Sequence, residues 1–198
     1  MTMKKIILAS ASPRRREILE TIGIKYEVMV SPYDESLTPK DLTPEQLVMV
    51  NSQGKGQAVA DTIIDKEAYI ISSDTVVAME KEDGYRIYGK PTDRQDAVSM
   101  LQELSGKKHT VYTGLTIIDR DKNICETVVD KADVVFKDLS QEEIEWYVDT
   151  LEPMDKAGSY AVQGLGARFV TGIKGSYHTV MGLPAHLVYE ILSKMGAI

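Results

Sequence analysis

The chain has 198 residues, of which 43% are hydrophobic and 27% charged, and its formal net charge is −7 at pH 7. This length suffices for one large domain or two small lobes with a real hydrophobic core. The negative charge argues against general binding to nucleic-acid polymers, which requires an extended basic surface. The single cysteine, Cys125, excludes an intramolecular disulfide and a cysteine-rich zinc site.

The N-terminal segment "MTMKKIILASAS" superficially resembles a signal peptide. Its apolar run is shorter than the roughly 7–15 residues of a signal-peptide core. No stretch reaches the roughly 18 apolar residues typical of a membrane span. We therefore expect a cytoplasmic protein without a membrane partner, and the single cysteine agrees with a reducing compartment.

The first predicted elements are a strand and a helix. The apolar run "KIILAS" predicts a buried strand, and Pro13 lies where the first turn of a helix would begin. This helix is expected to stop at Gly23, because glycine readily adopts the left-handed conformation that ends helices. The alternating segment "KYEVMVS" then predicts a second strand.

A second helix is predicted from a capping box. Thr43 and Gln46 have the spacing at which each side chain bonds the other residue's backbone, and the helix should continue towards Ala60. Gly54 and Gly56 lie inside it. Each glycine costs about 1 kcal/mol relative to alanine, so we expect this helix to be bent or broken.

The rest of the chain mixes strands, hairpins and helices, which predicts an α/β fold with a mixed sheet. The predicted elements are a strand at "AYIISSDTVVAME" with a hairpin return at Asp83-Gly84, a helix capped by Thr92 with Gln95, strands at "HTVYTGLTIID" and "ICETVVDKADVVF", a helix capped by Ser140 with Glu143, a glycine-rich, strand-like segment from Glu152 to Gly182, and a last helix after Pro184.

Three consecutive arginines, Arg14, Arg15 and Arg16, occupy the start of the first helix. The helix dipole disfavours cations at this end by up to about 1 kcal/mol each, unless an anion lies among them. With Ser10, Ser12 and the backbone N–H groups after Pro13, Arg14 and Arg15 would form a phosphate site. The alternative is a solvated basic turn. No P-loop or dinucleotide glycine motif offers another phosphate site.

The acidic candidate is Asp74, which lies among apolar residues of a predicted strand. A carboxylate in such a place needs a partner, a metal or a raised pKa, unless it faces water at a strand end. Glu35 lies in a loop with Asp34, and its convergence with Asp74 would create a hard oxygen site for Mg²⁺. Lys55 and Lys90 are either surface lysines or charge clamps for a polyphosphate.

Five segments, in chain order, resemble the motifs of the Maf family of nucleoside triphosphate pyrophosphatases. They are "SASPRRREIL", "SSDTVV", "GKPTD", "EPMDKAGSYAVQGLG" and "GSYHTVMGLP". The resemblance runs from about Ile6 to Leu192 and implies one Maf-like domain over residues 1–198. It also implies an elongated, twisted mixed sheet flanked by helices, with two lobes around a cleft, similar to inosine triphosphate pyrophosphatases.

The resemblance further implies hydrolysis of a nucleoside triphosphate to the monophosphate and pyrophosphate with a divalent cation, Mg²⁺ or Mn²⁺. The residues at the positions where the subfamilies differ, Arg14, Thr75 and Gln163, are those of the branch that acts on dTTP and UTP. A glutamine amide suits a pyrimidine edge, because it can both donate and accept a hydrogen bond. A homodimer and a link to arrest of septum formation are also implied.

Site residues are carried over from the family motifs position by position. Asp74 corresponds to the proton acceptor and, with Glu35, would hold the metal. The other implied substrate-binding residues are Ser10, Arg14, Arg15, Lys55, Thr75, Lys90 and Gln163.

The chain departs from the family pattern at two places. Gly54 and Gly56 flank Lys55 where the family usually has an alanine-rich helix, and Ser72 stands where glycine is common. Two other functions remain open from the sequence: a non-catalytic regulator of septum formation, and a nucleotide sensor that binds without turnover.

Overall fold

The computed structural model describes residues 4–64 and 67–198. Its strands are β1 (Lys5–Leu8), β2 (Glu27–Val28), β3 (Ala68–Lys81), β4 (Gly84–Tyr88), β5 (Lys108–Asp119), β6 (Ile124–Phe136) and β7 (Val170–Lys174). Its α-helices are α1 (Pro13–Thr21), α2 (Pro44–Thr62), α3 (Arg94–Leu104), α4 (Gln141–Asp149), α5 (Tyr177–Met181) and α6 (Ala185–Met195). Short 3₁₀ turns cover Glu35–Leu37, Glu152–Asp155, Ala157–Ser159 and Leu165–Phe169.

The strands form one mixed sheet in the order β2-β1-β3-β5-β6-β7, and β4 pairs with β3 outside this path. Strand β1 is parallel to both β2 and β3, with Leu8 opposite Val28 and Ile71. Strands β3 and β4 are antiparallel, as are β6 and β7. The predicted α/β fold, a mixed sheet flanked by helices, is therefore confirmed.

The chain divides into two compact units. The first contains residues up to Asp74 together with Thr113–Asp130 and Gly182–Ile198, and the second contains Thr75–Tyr112 and Lys131–Met181. Within residues 4–64 and 67–198, no helix has the length and apolar character of a membrane span.

Each unit has its own apolar packing. In the first unit, residues of β1, α2, β3 and β5 form a buried cluster of Ile7, Ala9, Val59, Ala60, Ala68, Ile70 and Ile118. In the second, aromatic rings meet edge to face: Tyr147 lies 5.0 Å from Phe169, and Phe136 lies 4.8 Å from Tyr160, centroid to centroid. Such aromatic pairs contribute beyond their buried area.

Helix α2 is unbroken, so the predicted bend or break at its glycines is wrong. Both glycines lie where a neighbour leaves no room for a side chain. A Cβ atom on Gly54 would lie 2.2 Å from the Tyr33 ring, and one on Gly56 would lie 2.6 Å from Ser72 Oγ. Tertiary packing therefore requires glycine here and offsets its low helix propensity.

Two other predictions need correction. Helix α3 is capped by Asp93, whose side chain accepts a bond from the Asp96 N–H, and not by Thr92. The segment from Glu152 to Gly182 is mostly not strand: it contains three 3₁₀ turns, the short strand β7 and helix α5. Hydrogen bonds to the Glu152 carboxylate hold part of this segment in turns.

Candidate active site

The start of α1 holds a buried serine against an arginine. Ser10 Oγ accepts hydrogen bonds from the Ser12 N–H at 3.2 Å and from Arg15 Nη1 at 3.0 Å. Arg15 Nε donates to the Gly182 carbonyl oxygen at 2.9 Å. The side chain of the N-cap residue, Ser12, makes no capping bond. An anion at this helix end would therefore meet backbone N–H groups that this residue's side chain does not satisfy.

Positive charge is concentrated beside these groups. Burial lowers the pKa of the Arg15 guanidinium, the positive charge of Arg14 lowers it further, and the negative charges of Asp74 and Glu35 oppose this shift. Arginine still remains protonated under all ordinary conditions. The Arg15 guanidinium therefore interacts electrostatically with two carboxylates of its own unit, Asp74 and Glu35.

Lys55, on α2, joins the two predicted carboxylates. Its Nζ lies 2.6 Å from Asp74 Oδ1 and 2.8 Å from Glu35 Oε1. The Asp74 and Lys55 side chains are only 9% and 14% exposed, whereas Glu35 is 56% exposed. Asp74 therefore lies inside the buried part of β3, which continues beyond it to Met79, and not at a water-facing strand end. Its pairing with the Lys55 ammonium offsets the desolvation cost of a buried carboxylate.

A chain of polar side chains, which the sequence analysis did not identify, fixes the other carboxylate oxygen. Asn51 Nδ2 donates to Asp74 Oδ2 at 2.9 Å, and Thr38 Oγ1 donates to Asn51 Oδ1 at 2.7 Å. The Tyr33 hydroxyl lies 2.9 Å from Thr38 Oγ1, while its ring packs on Gly54. The available signal was Asn51 itself, an amide side chain on the face of α2 that also carries the buried Val48 and Val59.

The same two carboxylates are the predicted metal ligands. Asp74 and Glu35 converge on one cationic atom, Lys55 Nζ. Residues 4–64 and 67–198 contain no group of three or more histidine, cysteine, aspartate or glutamate side chains arranged around a metal position. Two carboxylates nonetheless match Mg²⁺, which usually takes one or two from a protein and completes its shell with phosphate oxygens and waters.

The remaining predicted residues belong to the second unit. Thr75 follows Asp74 directly in β3 and is half-buried. Lys90 is exposed beyond β4, and the carbonyl of the preceding Gly89 accepts a bond from the Gly158 N–H at 3.1 Å. Gln163 is exposed in the turn before Leu165–Phe169. Their roles in substrate binding stay predictions.

Comparison with known proteins identifies one family and several relatives that carry the same name. Residues 5–195 match the family described as "Maf-like protein". A protein named dTTP/UTP pyrophosphatase from Pelotomaculum thermopropionicum is 43% identical over 194 residues, which is 98% of each chain. Proteins of the same name from Syntrophus aciditrophicus and Bacillus cytotoxicus are 43% and 45% identical, over 100% and 96% of this chain and 93% and 95% of their own.

Among solved structures, a HAM1 protein from Coxiella burnetii covers 97% of this chain with 100% of its own length. The TM-score is 0.47 and the sequence identity 11%. A similarity this weak says nothing about the activity of the chain.

Proposed function

Because the chain belongs to the Maf-like protein family, we propose that it hydrolyses dTTP and UTP to the nucleoside monophosphate and pyrophosphate. Three relatives at 43–45% identity carry the name of this activity. The structural observation that carries the proposal is the buried Asp74 carboxylate held between Lys55 and Asn51. We further propose that residues 1–198 form one Maf-like domain, which acts in the cytoplasm as a homodimer.

In the proposed reaction, a water oxygen attacks the α-phosphorus and the bond to the bridging oxygen of the β-phosphate breaks. Pyrophosphate leaves with the electrons of that bond. Asp74 orients the water and accepts its proton, because it is an anionic carboxylate whose position two hydrogen bonds fix. The lysine that holds Asp74 also brings positive charge to the reacting phosphate.

The cations would balance the charge of the triphosphate. Arg14, Arg15, Lys55 and Lys90 bind phosphate oxygens in this proposal, together with the backbone N–H groups at the start of α1. Ser10 already accepts two bonds through its oxygen, so its hydroxyl hydrogen is left to donate to a phosphate. Positioned cations stabilise the charge that develops on departing pyrophosphate.

A divalent cation fits the carboxylates of the first unit. Asp74 and Glu35 would hold Mg²⁺ or Mn²⁺, with the triphosphate supplying further oxygens. When bound, the cation would polarise the phosphoryl oxygens and neutralise part of their charge. The two carboxylates already lie close enough together to contact one cationic group, the Lys55 ammonium, which supports their joint role as metal ligands.

Selectivity for the base is assigned to Arg14, Thr75 and Gln163. The exposed Gln163 amide can donate to a pyrimidine carbonyl and accept from its N–H. Thymine and uracil offer both groups on one edge, so a glutamine amide is compatible with dTTP and UTP as the substrates.

The test is product analysis by anion exchange with UTP, dTTP, CTP and GTP, each with Mg²⁺ or Mn²⁺. We expect monophosphate and pyrophosphate in equal amounts, fastest from UTP and dTTP. Release of UDP and phosphate would contradict the proposal. Nucleotide binding without product would indicate a sensor, and neither binding nor product would favour a non-catalytic regulator.

A further inference from the structure

The turn that carries Gln163 is held from one side by a buried tyrosine of α4. The Tyr147 hydroxyl accepts a hydrogen bond from the Ala161 N–H at 3.0 Å and donates to Glu152 Oε1 at 2.8 Å. Tyr147 is fully buried and packs edge to face on Phe169. The residue two positions before Gln163 is therefore fixed to the core of its unit.

On the other side, the Glu152 carboxylate holds the backbone after Gln163. Glu152 Oε2 accepts from the Leu165 N–H at 3.0 Å, and Oε1 accepts from the Gly166 N–H at 3.1 Å. Burial alone would raise the pKa of Glu152, but the bonds from Leu165, Tyr147 and Gly166 outweigh it and lower that pKa. Glu152 is therefore an anionic acceptor for two successive N–H groups.

Two glycines allow this backbone to approach so closely. A Cβ atom on Gly164 would lie 2.4–2.6 Å from the three terminal atoms of the Glu152 carboxylate. A Cβ atom on Gly166 would lie 2.8 Å from the Tyr147 hydroxyl oxygen. The glycines on either side of Leu165 are thus matched to the two polar groups that hold the turn.

We propose that Glu152, with Tyr147, is a positioning residue that sets the direction of the Gln163 side chain and thereby the base selectivity of the enzyme. Gln163 is exposed, whereas the backbone on both sides of it is tied down. A side chain can discriminate between bases only if its backbone is held in one geometry, which an anchored turn provides. This inference rests on the proposed function, because it takes Gln163 to read the base.

The experiment compares Glu152→Ala, Glu152→Gln and Gly164→Ala with the wild-type protein. Alanine at position 152 removes the three hydrogen bonds that the carboxylate accepts from Tyr147, Leu165 and Gly166. Glutamine keeps one oxygen as the acceptor for Tyr147 and Gly166, but it places an NH₂ group against the Leu165 N–H. Gly164→Ala keeps every polar group and displaces the carboxylate sterically. The matched control is Gly172→Ala, because a Cβ atom on Gly172 would meet nothing within 4 Å.

The readout is the ratio of kcat/KM for UTP to kcat/KM for GTP, which does not depend on the fraction of folded enzyme. We expect this ratio to fall about 5-fold or more in Glu152→Ala and Gly164→Ala, and less in Glu152→Gln. Gly172→Ala should keep it. An equal loss of rate with both nucleotides, at an unchanged ratio, would reduce Glu152 to a residue of structural importance only and overturn the inference.

A second measurement is the ratio of the binding affinities for UTP and GTP, obtained by calorimetry with their α,β-methylene analogues. A wild-type protein without turnover would contradict the proposed function, while its binding ratio would still test Glu152. A binding ratio that falls in Glu152→Ala and Gly164→Ala supports the inference in either case. A wild-type protein without base preference, or variants with the wild-type binding ratio, would overturn it.

Discussion

The Ser72 side chain of β3 occupies the position that a side chain on Gly56 of α2 would need. A Cβ atom on Gly56 would lie 2.6 Å from Ser72 Oγ, 3.2 Å from Ile118 Cδ1 and 3.5 Å from Ser72 Cβ, so the hydroxyl group is the closest obstacle to a side chain here. Ser72 Oγ donates to the Ser52 carbonyl oxygen of α2 at 2.7 Å. Gly56 and Ser72, which both depart from the family pattern, are therefore complementary, because the absence of a side chain on Gly56 leaves room for the Ser72 hydroxyl group.

This complementarity predicts coupled stabilities. Gly56→Ala alone should lower the free energy of unfolding by about 1–3 kcal/mol, because overpacking outweighs the gain in helix propensity. In Gly56→Ala/Ser72→Ala the clash is absent, so the double variant should be more stable than the sum of the single effects predicts, by about 1 kcal/mol or more. Urea denaturation of the four proteins measures this, and strictly additive effects would contradict it.

Asp74→Asn should abolish turnover and leave the fold nearly intact. Asparagine has the same shape, but it cannot accept the proton of the attacking water and it is no longer an anionic partner for Lys55. We expect kcat for UTP to fall at least ~10²-fold, the lower range for a positioned acid–base group. Monophosphate release and thermal unfolding are measured together.

The control for this variant is Asp34→Asn. Asp34 accepts a bond from the Ser36 N–H at 2.9 Å, and asparagine caps such turns equally well, so activity should be retained. A folded Asp74→Asn protein with nearly wild-type kcat would refute the assignment of Asp74.

Gln163→Glu should change which bases are accepted. The substitution keeps the shape but replaces the amide donor by an acceptor, which would face a pyrimidine carbonyl oxygen. An unmatched polar pair of this kind costs about 1–3 kcal/mol, so kcat/KM for UTP and dTTP should fall roughly 5- to 150-fold. GTP, which offers N–H donors, should lose less. Parallel assays with UTP, dTTP, CTP and GTP decide this, and a uniform loss would remove Gln163 from base recognition.

His109 should make the protein less stable in mild acid. This histidine is 1% exposed, its Nε2 lies 2.8 Å from the Tyr160 hydroxyl oxygen, and burial lowers its pKa from 6.5 to about 4, although Asp133 opposes the shift. Below pH 6.5 the unfolded chain takes up a proton that the folded protein refuses until about pH 4. Stability is therefore lost as the pH falls through this window, by about 2 kcal/mol between pH 7 and pH 5.

The measurement is the free energy of unfolding against pH for the wild-type protein and His109→Gln. The variant should lose about 2 kcal/mol less between pH 7 and pH 5, because glutamine does not titrate. The same substitution at the exposed His186, His186→Gln, is measured alongside as the control for a surface histidine. Parallel curves for the wild type and His109→Gln would contradict the prediction.

Much of the local structure follows from interactions between residues that are near one another in the sequence. The capping boxes at Thr43 and Ser140 are both present, because such boxes are made by residues three positions apart and need no distant partner. Helix α1 begins at Pro13, as predicted, and Gly23 follows its end with a φ of +74°. The family motifs also identified Asp74, Lys55 and Glu35, which the structure brings together.

The tolerance of glycines in α2 and the way Asp74 is held depend instead on contacts between distant parts of the chain. The glycine positions depend on Tyr33 and Ser72, which are distant in sequence, so helix propensity alone predicted a break that does not occur. The bond from Asn51 to Asp74 likewise joins residues on a helix and a strand. Propensity and capping act over a few neighbouring residues, whereas steric exclusion and buried hydrogen bonds depend on which distant segments the fold places together.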